Sequence, residues 1–170
     1  MGDGIRKLLE RAIAVHHPPT EEEVDRAFRI YIAYYEEHCT DTSYVYPGVP
    51  ELLERLPTRR LAVLSNKGEH FTRKILTEFG LAPYFQLILG GDSLPVKKPH
   101  PGGIEFVLNT FGVTPDRAMM VGDSTHDLEA GKAAGVITVA ALYGYRDAHV
   151  LNGADIHIQH PLELLDYLTQ

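Results

Sequence analysis

Short apolar runs alternate with segments of helical spacing through most of this chain, and that alternation constrains the fold more than any other feature. The runs lie at about residues 60–65, 85–90, 118–122 and 136–142, with a weaker one at 154–159. Brief apolar runs bounded by Gly, Ser or Asp read as buried strands. Strand–helix units repeated in this way imply a parallel sheet with right-handed crossovers, and so an α/β fold. The helix after the first run carries Phe71, Ile75, Leu76 and Phe79 on its inner face. Two of the helices are expected to stop at Gly80 and Gly112.

The first 45 residues follow another pattern. Ile5, Leu8, Leu9, Ala12 and Ile13 have helical spacing, and His16-His17-Pro18-Pro19 ends that helix. Thr20 and Glu23 form a capping-box pair. The helix they open runs to about Cys39, with Val24, Phe28, Tyr31, Ile32 and Tyr35 expected as a helix–helix core. Thr40 to Tyr46 reads as a hinge or linker. Pro50 begins a helix that carries Leu52, Leu53 and Leu56. The expected organisation is therefore a helical pair over residues 1–45 and an α/β core over 46–170.

Three motifs sit where strands end. In Val121-Gly122-Asp123-Ser124-Thr125-His126-Asp127 an apolar run stops at Gly-Asp-Ser. Asp123 is displayed at the carboxyl edge of the sheet, where open α/β sheets bind ligands. Asp127 follows at the start of the next helix. Two carboxylates this close suit a hard cation such as Mg²⁺. The plainer alternative is a strand-to-helix turn with a capping Asp. Gly91-Asp92-Ser93 is a second copy, and both copies cannot be the metal site. Ser65-Asn66-Lys67-Gly68 offers a hydroxyl, an amide and free backbone N–H groups at a helix N-terminus. That is either an anion site or an ordinary cap. Lys97-Lys98-Pro99-His100-Pro101 holds a lysine beside prolines that restrict the loop. Lys98 is either a point cation for phosphate or a solvated loop lysine.

In this order the motifs resemble the haloacid dehalogenase superfamily of phosphohydrolases, and within it the phosphoglycolate phosphatase family. The strings that carry the resemblance are PGVPELLERL, LSNK, GGD followed by KKPHP, VGDSTHDLEAGKAAG and YGYR. The resemblance implies a Rossmann-like parallel sheet with a partial helical cap. It implies that Ser65 and Asn66 bind the transferring phosphoryl group and that Lys98 balances charge. It further implies that Asp123 binds Mg²⁺, with Asp127 supporting or sharing that role. The substrate would be a small phosphorylated metabolite, attacked through an aspartyl-phosphate.

One family feature is not matched. The family's first motif, an apolar strand followed by DxDGT, supplies nucleophile and general acid/base, and its strand lies at the sheet's centre. Met1-Gly2-Asp3-Gly4 follows no apolar run, and Asp3 has no second Asp two residues before it. Those residues match a Gly-rich turn of the cap better. The central strand is therefore expected to be missing from this chain, between the strand ending at Ser65 and the strand ending at Asp123. The chain is expected to be inactive alone.

Composition narrows the remaining classes. A net charge of −7 without a basic block argues against a nucleic-acid partner. Cys39 is the one cysteine, which suits a reducing, cytoplasmic setting. No apolar stretch approaches a membrane span, and the start has no signal-peptide pattern. Nine histidines come without a Cys pair or an HExxH string, and read as surface residues rather than a zinc site. A sugar-phosphate phosphatase or mutase of the same superfamily, a non-catalytic phosphate-binding or interaction protein, and a receiver-like signalling domain are the alternatives.

Overall fold

The structure is a computed structural model that describes residues 4–145 and 147–168. Helix α1 (Ile5–Ala14) and α2 (Glu21–His38) form an antiparallel pair, followed by α3 (Val49–Glu54). The core then runs β1 (Ala62–Leu64), α4 (Glu69–Glu78), β2 (Leu87–Leu89), α5 (Gly102–Phe111), β3 (Met119–Gly122), α6 (Thr125–Ala134), β4 (Ile137–Ala141) and β5 (Ile156–Ile158). Every expected strand is present, each shorter than its apolar run. Helix α4 ends at Glu78, two residues before Gly80, and α5 ends at Phe111, next to Gly112. Both glycines adopt the left-handed backbone.

All strand pairs are parallel, in two separate sheets. Strand β1 pairs with β2, from Ala62 opposite Leu87 to Leu64 opposite Leu89. Strands β3, β4 and β5 form the other sheet, with Met119 opposite Ile137 and Val139 opposite Ile156. Among the described residues β1 and β3 do not pair with each other. The expected break at the sheet's centre is therefore found as a slot, with an unpaired strand edge on each side.

Shared cores hold the sheets on both sides of that slot. On one face Leu52, Leu56, Val139, Ile158 and Leu164 pack together, with Leu61 before β1 and Met119 of β3 against them. On the other face Ile104, Leu108, Ala130 and Val136 pack with Leu64 of β1 and Met120 of β3. Each fully buried aliphatic side chain contributes about 1.5–3 kcal/mol. The strands differ in how far they are covered. Val139 and Ala140 of β4 are fully buried, whereas β1 is only half-buried and Val121 of β3 is exposed.

The helical pair is looser than the sequence pattern predicts. Thr20 and Glu23 form the expected capping box, with the Thr20 N–H donating to Glu23 Oε2 at 2.9 Å. Of the expected aromatic core, only Val24 is buried; Phe28, Tyr31, Ile32 and Tyr35 are half-buried. Two helices alone have too little surface to enclose that stripe. Tyr31 instead stacks on Tyr35 at 5.4 Å, and Tyr35 sets its edge on Phe71 of α4 at 4.9 Å. The stripe thus joins α2 to the core.

Candidate active site

The strands are parallel within each sheet, and Lys98, which reaches Leu64 O at the end of β1 and Asp127 after β3, brings the carboxyl ends of the two sheets to one edge. That edge gathers Ser65 after β1, Gly90 after β2 and Asp123 after β3. The Ser65 N–H still donates to Leu89 O at 2.9 Å, so the turn begins just beyond the ladder. The Ser65 hydroxyl accepts from the Lys67 N–H at 3.1 Å. Asn66 Nδ2 donates to Lys98 O at 2.8 Å and ties this turn to the Lys-Pro loop. Asn66 Oδ1 is buried and has no hydrogen-bond partner among the described residues.

Neither Ser65 nor Asn66 caps the helix that follows. Gly68 occupies the cap position of α4, and the Glu69 N–H donates to Asp92 Oδ1 at 2.7 Å. The second Gly-Asp-Ser copy is thereby accounted for. Asp92 caps α4, while Ser93 Oγ donates to Glu69 Oε2 at 2.5 Å and accepts from the Gly90 N–H at 2.7 Å. The Ser93 hydroxyl, and next the Arg73 guanidinium, hold the Glu69 carboxyl below the usual range. This brace under the Ser65–Gly68 turn is absent from the sequence reading, because Asp92 meets Glu69 across 23 residues of chain.

Lys98 is not a solvated loop lysine. Its side chain is 11% exposed, and its ammonium lies 2.6 Å from Asp127 Oδ1, whose side chain is 7% exposed. The same ammonium donates to Leu64 O at the end of β1. Lys98 therefore bridges the slot, from β1 on one side to the start of α6 on the other. Asp127 Oδ2 accepts from Ser124 N at 3.0 Å and from Ser124 Oγ at 2.8 Å. Both Asp127 oxygens are thus engaged, one in holding Lys98 and one in capping α6. Gly122 makes this arrangement possible. A Cβ there would lie 2.4 Å from the Asp127 carboxylate, so only glycine admits that side chain beneath the strand end.

Asp123 has a different environment. Its Oδ2 accepts from the Tyr145 N–H at 2.9 Å, and no salt bridge reaches it among the described residues. Its charge is felt by two phenols nearby. Tyr143 is pushed up by burial and then by Asp123; Tyr46 is pushed up by burial, then by Tyr44 and Asp123. The two rings meet edge to face at 5.4 Å. A half-buried carboxylate with no salt bridge among the described residues suits a hard cation, which Asp123 would hold. Among the described residues no three His, Cys, Asp or Glu side chains converge to complete such a site. Asp3 lies outside the described residues.

The structure thus brings Ser65, Asn66, Lys98, Asp123 and Asp127 to one edge around the slot. No helix among the described residues is long and apolar enough to cross a membrane. The haloacid dehalogenase-like hydrolase family matches residues 6–141. The phosphoglycolate phosphatase of Nitrosococcus oceani is 35% identical over 174 aligned residues, covering 100% of this chain and 75% of that protein. That of Chromobacterium violaceum is 37% identical, covering 99% of this chain and 77% of its own length. The crystal structure of a predicted phosphoglycolate phosphatase from Haemophilus somnus superposes with a TM-score of 0.90 at 33% identity, over 100% of this chain and 79% of that one.

Proposed function

Because the chain belongs to the haloacid dehalogenase-like hydrolases, we propose that it supplies the phosphate-binding and charge-balancing groups of a Mg²⁺-dependent phosphomonoester hydrolase of the phosphoglycolate phosphatase kind. The observation that carries this reading is Lys98. It is nearly buried, spans the slot between β1 and β3, and is held by Asp127 beside Ser65 and Asn66. A cation fixed there has a task at the slot itself, since an exposed lysine would serve solubility equally well.

The attacking carboxylate belongs to a strand seated between β1 and β3 and ending in a DxDGT-type turn. It attacks phosphorus, the ester P–O bond breaks, and an aspartyl-phosphate forms. The second Asp of that turn protonates the departing alkoxide, and water later releases phosphate. The Lys98 ammonium neutralises the attacking carboxylate and a phosphoryl oxygen. Ser65 Oγ and Asn66 Nδ2 hold equatorial oxygens in line for attack. Mg²⁺ at Asp123 would offset the repulsion between carboxylate and phosphate. Asp127 acts by holding Lys98 in place. Residues 1–45 act as the cap that limits water and reads the organic part of a small phosphorylated metabolite. The setting is cytoplasmic, as the single Cys39 suggests.

The incoming strand would also pair the open edges of β1 and β3. The 170 residues alone are therefore expected to hydrolyse phosphoglycolate negligibly in the presence of Mg²⁺. Robust turnover by the purified chain, abolished by Asp3→Asn but not by surface substitutions, would overturn this assignment of the nucleophile.

A further inference from the structure

Strand β4 ends in a turn that lies directly against Asp123. The Leu142 N–H donates to Ile158 O at 2.8 Å, which carries the ladder with β5 past Ala141. The Gly144 N–H then donates back to Ala141 O at 3.1 Å and closes the turn. Leu142 packs on the core of Leu128 and Leu151, and Tyr143 on the core of Leu52 and Ile158. The turn is thus anchored in two cores before it meets Asp123. The fit between them is close. A Cβ on Gly144 would lie 2.3 Å from Asp123 Cβ and 2.7 Å from its Oδ2. Gly144 does not have the positive φ that favours glycine, so the space filled by Asp123 is what excludes a side chain there. The Tyr145 N–H donates to Asp123 Oδ2 at 2.9 Å, whereas Oδ1 has no hydrogen-bond partner among the described residues. Asp127, by contrast, has both oxygens engaged. Two glycines therefore shape the two carboxylates of one motif, Gly122 beneath Asp127 and Gly144 beside Asp123.

We infer that Gly144 and the Tyr145 N–H are positioning groups for Asp123: they hold its Oδ2, so that Oδ1 is the oxygen offered to a cation. This deepens the proposed function and rests on it, since it takes Asp123 to be the residue that holds Mg²⁺. The physical need is specific. Mg²⁺ demands near-ideal octahedral geometry, and a carboxylate free to swing presents its oxygens poorly. A carboxylate pressed against Gly144 and bonded to the Tyr145 N–H has its orientation set before the cation arrives, so less freedom is lost on binding. Groups that orient a metal ligand in this way contribute about 10–100-fold in affinity.

The test is a titration of the full chain with Mg²⁺ alone, followed by NMR at the Asp123 and Ser124 amides. The parent should show saturable shifts there. Gly144→Ala, whose Cβ displaces the Asp123 side chain, should bind about tenfold more weakly. Tyr145→Pro removes the N–H donor while leaving the space at Gly144 open, and should weaken binding in the same direction. Gly80→Ala is the control: it is strained at a φ of +70°, but nothing lies within 4 Å of the added Cβ. It should lower the urea midpoint and leave the Mg²⁺ affinity at the parent value. Gly144→Ala and Tyr145→Pro proteins that bind Mg²⁺ as tightly as the parent overturn the positioning role and leave Asp123 standing as the metal residue. A Gly80→Ala protein weakened as much as they are does the same, since affinity would then follow stability alone. If Gly144→Ala does not fold, Tyr145→Pro decides on the same terms. A parent whose Asp123 and Ser124 amides do not respond to Mg²⁺ overturns the metal assignment, and the positioning role falls with it.

Discussion

Asp127→Ala probes how the site is built. The carboxylate and the Lys98 ammonium are 2.6 Å apart, with side chains only 7% and 11% exposed. Truncation removes that ion pair and both bonds from Ser124, and leaves the ammonium with the Leu64 carbonyl. Removing one member of a buried pair costs about 3–5 kcal/mol. Losing a helix cap adds about 1 kcal/mol. The ammonium keeps the Leu64 carbonyl as a partner, so the low end of the first range applies, about 4 kcal/mol in all. In a protein of this size about 1 kcal/mol moves Tm by about 2–4 °C, so the expected fall is about 8–16 °C. Lys98→Met leaves Asp127 bonded to Ser124 and should cost less. The double variant removes both charges, and its cost should fall short of the summed single costs by about 2 kcal/mol. Urea and thermal unfolding of the four proteins, followed by circular dichroism, measures this coupling. Additive effects, or an Asp127→Ala protein within about 0.5 kcal/mol of the parent, would refute the claim that the two residues are one buried unit.

Gly122→Ala should destabilise the chain by about 1–3 kcal/mol, because the new Cβ would meet the Asp127 carboxylate at 2.4 Å; an unchanged urea midpoint would show that the carboxylate can move away. Calorimetry on the chain alone should find Mg²⁺ affinity no tighter than about millimolar, since Asp123 by itself offers Mg²⁺ little of its octahedron; tight binding that survives Asp123→Ala would place the cation elsewhere. Acid should destabilise the fold. The Thr20 N–H on Glu23, the Ser93 hydroxyl on Glu69, Lys74 on Glu78 and the Thr138 hydroxyl on Asp155 each hold a carboxyl below its usual range. These groups stabilise the fold fully above the ordinary carboxylate range, and that stability is lost as pH falls through their lowered folded values. The urea midpoint should therefore hold from neutral pH down to about 5 and drop below about 4, whereas a rise on acidification would contradict these bonds.

The features legible in the sequence are those written in neighbouring residues. The period of apolar runs located all five strands. The observed strands are shorter, as at 62–64 within the run 60–65, because a ladder lasts only as far as its partner. The capping box at Thr20 is local and was readable. The aromatic stripe of α2 was readable as a stripe, but not in its target. Spacing says that Tyr35 faces something; only the fold says that this is Phe71 and Lys67. The site residues were legible as types at strand ends, while the contacts that set their roles were not. Asn66 meets the Lys98 carbonyl across 32 residues, and Asp123 meets the Tyr145 N–H across 22. Gly122 read as the glycine of a tight turn, and its structural task is to leave space for Asp127. Two identical Gly-Asp-Ser strings diverge for the same reason: Asp92 faces the N-terminus of α4, and Asp123 faces the slot edge beside two tyrosines.

The central claim is that the groups around the slot serve phosphoryl transfer once a strand carrying the nucleophile fills it. The direct measurement is the rate of phosphoglycolate hydrolysis, with Mg²⁺, by this chain joined to an apolar strand ending in DxDGT. Hydrolysis should appear together with a higher melting temperature, and Lys98→Ala and Asp123→Asn should each lower kcat/KM by about 10²–10³-fold. A joined protein that folds well yet hydrolyses no phosphomonoester, or one whose rate is indifferent to both substitutions, would contradict the account.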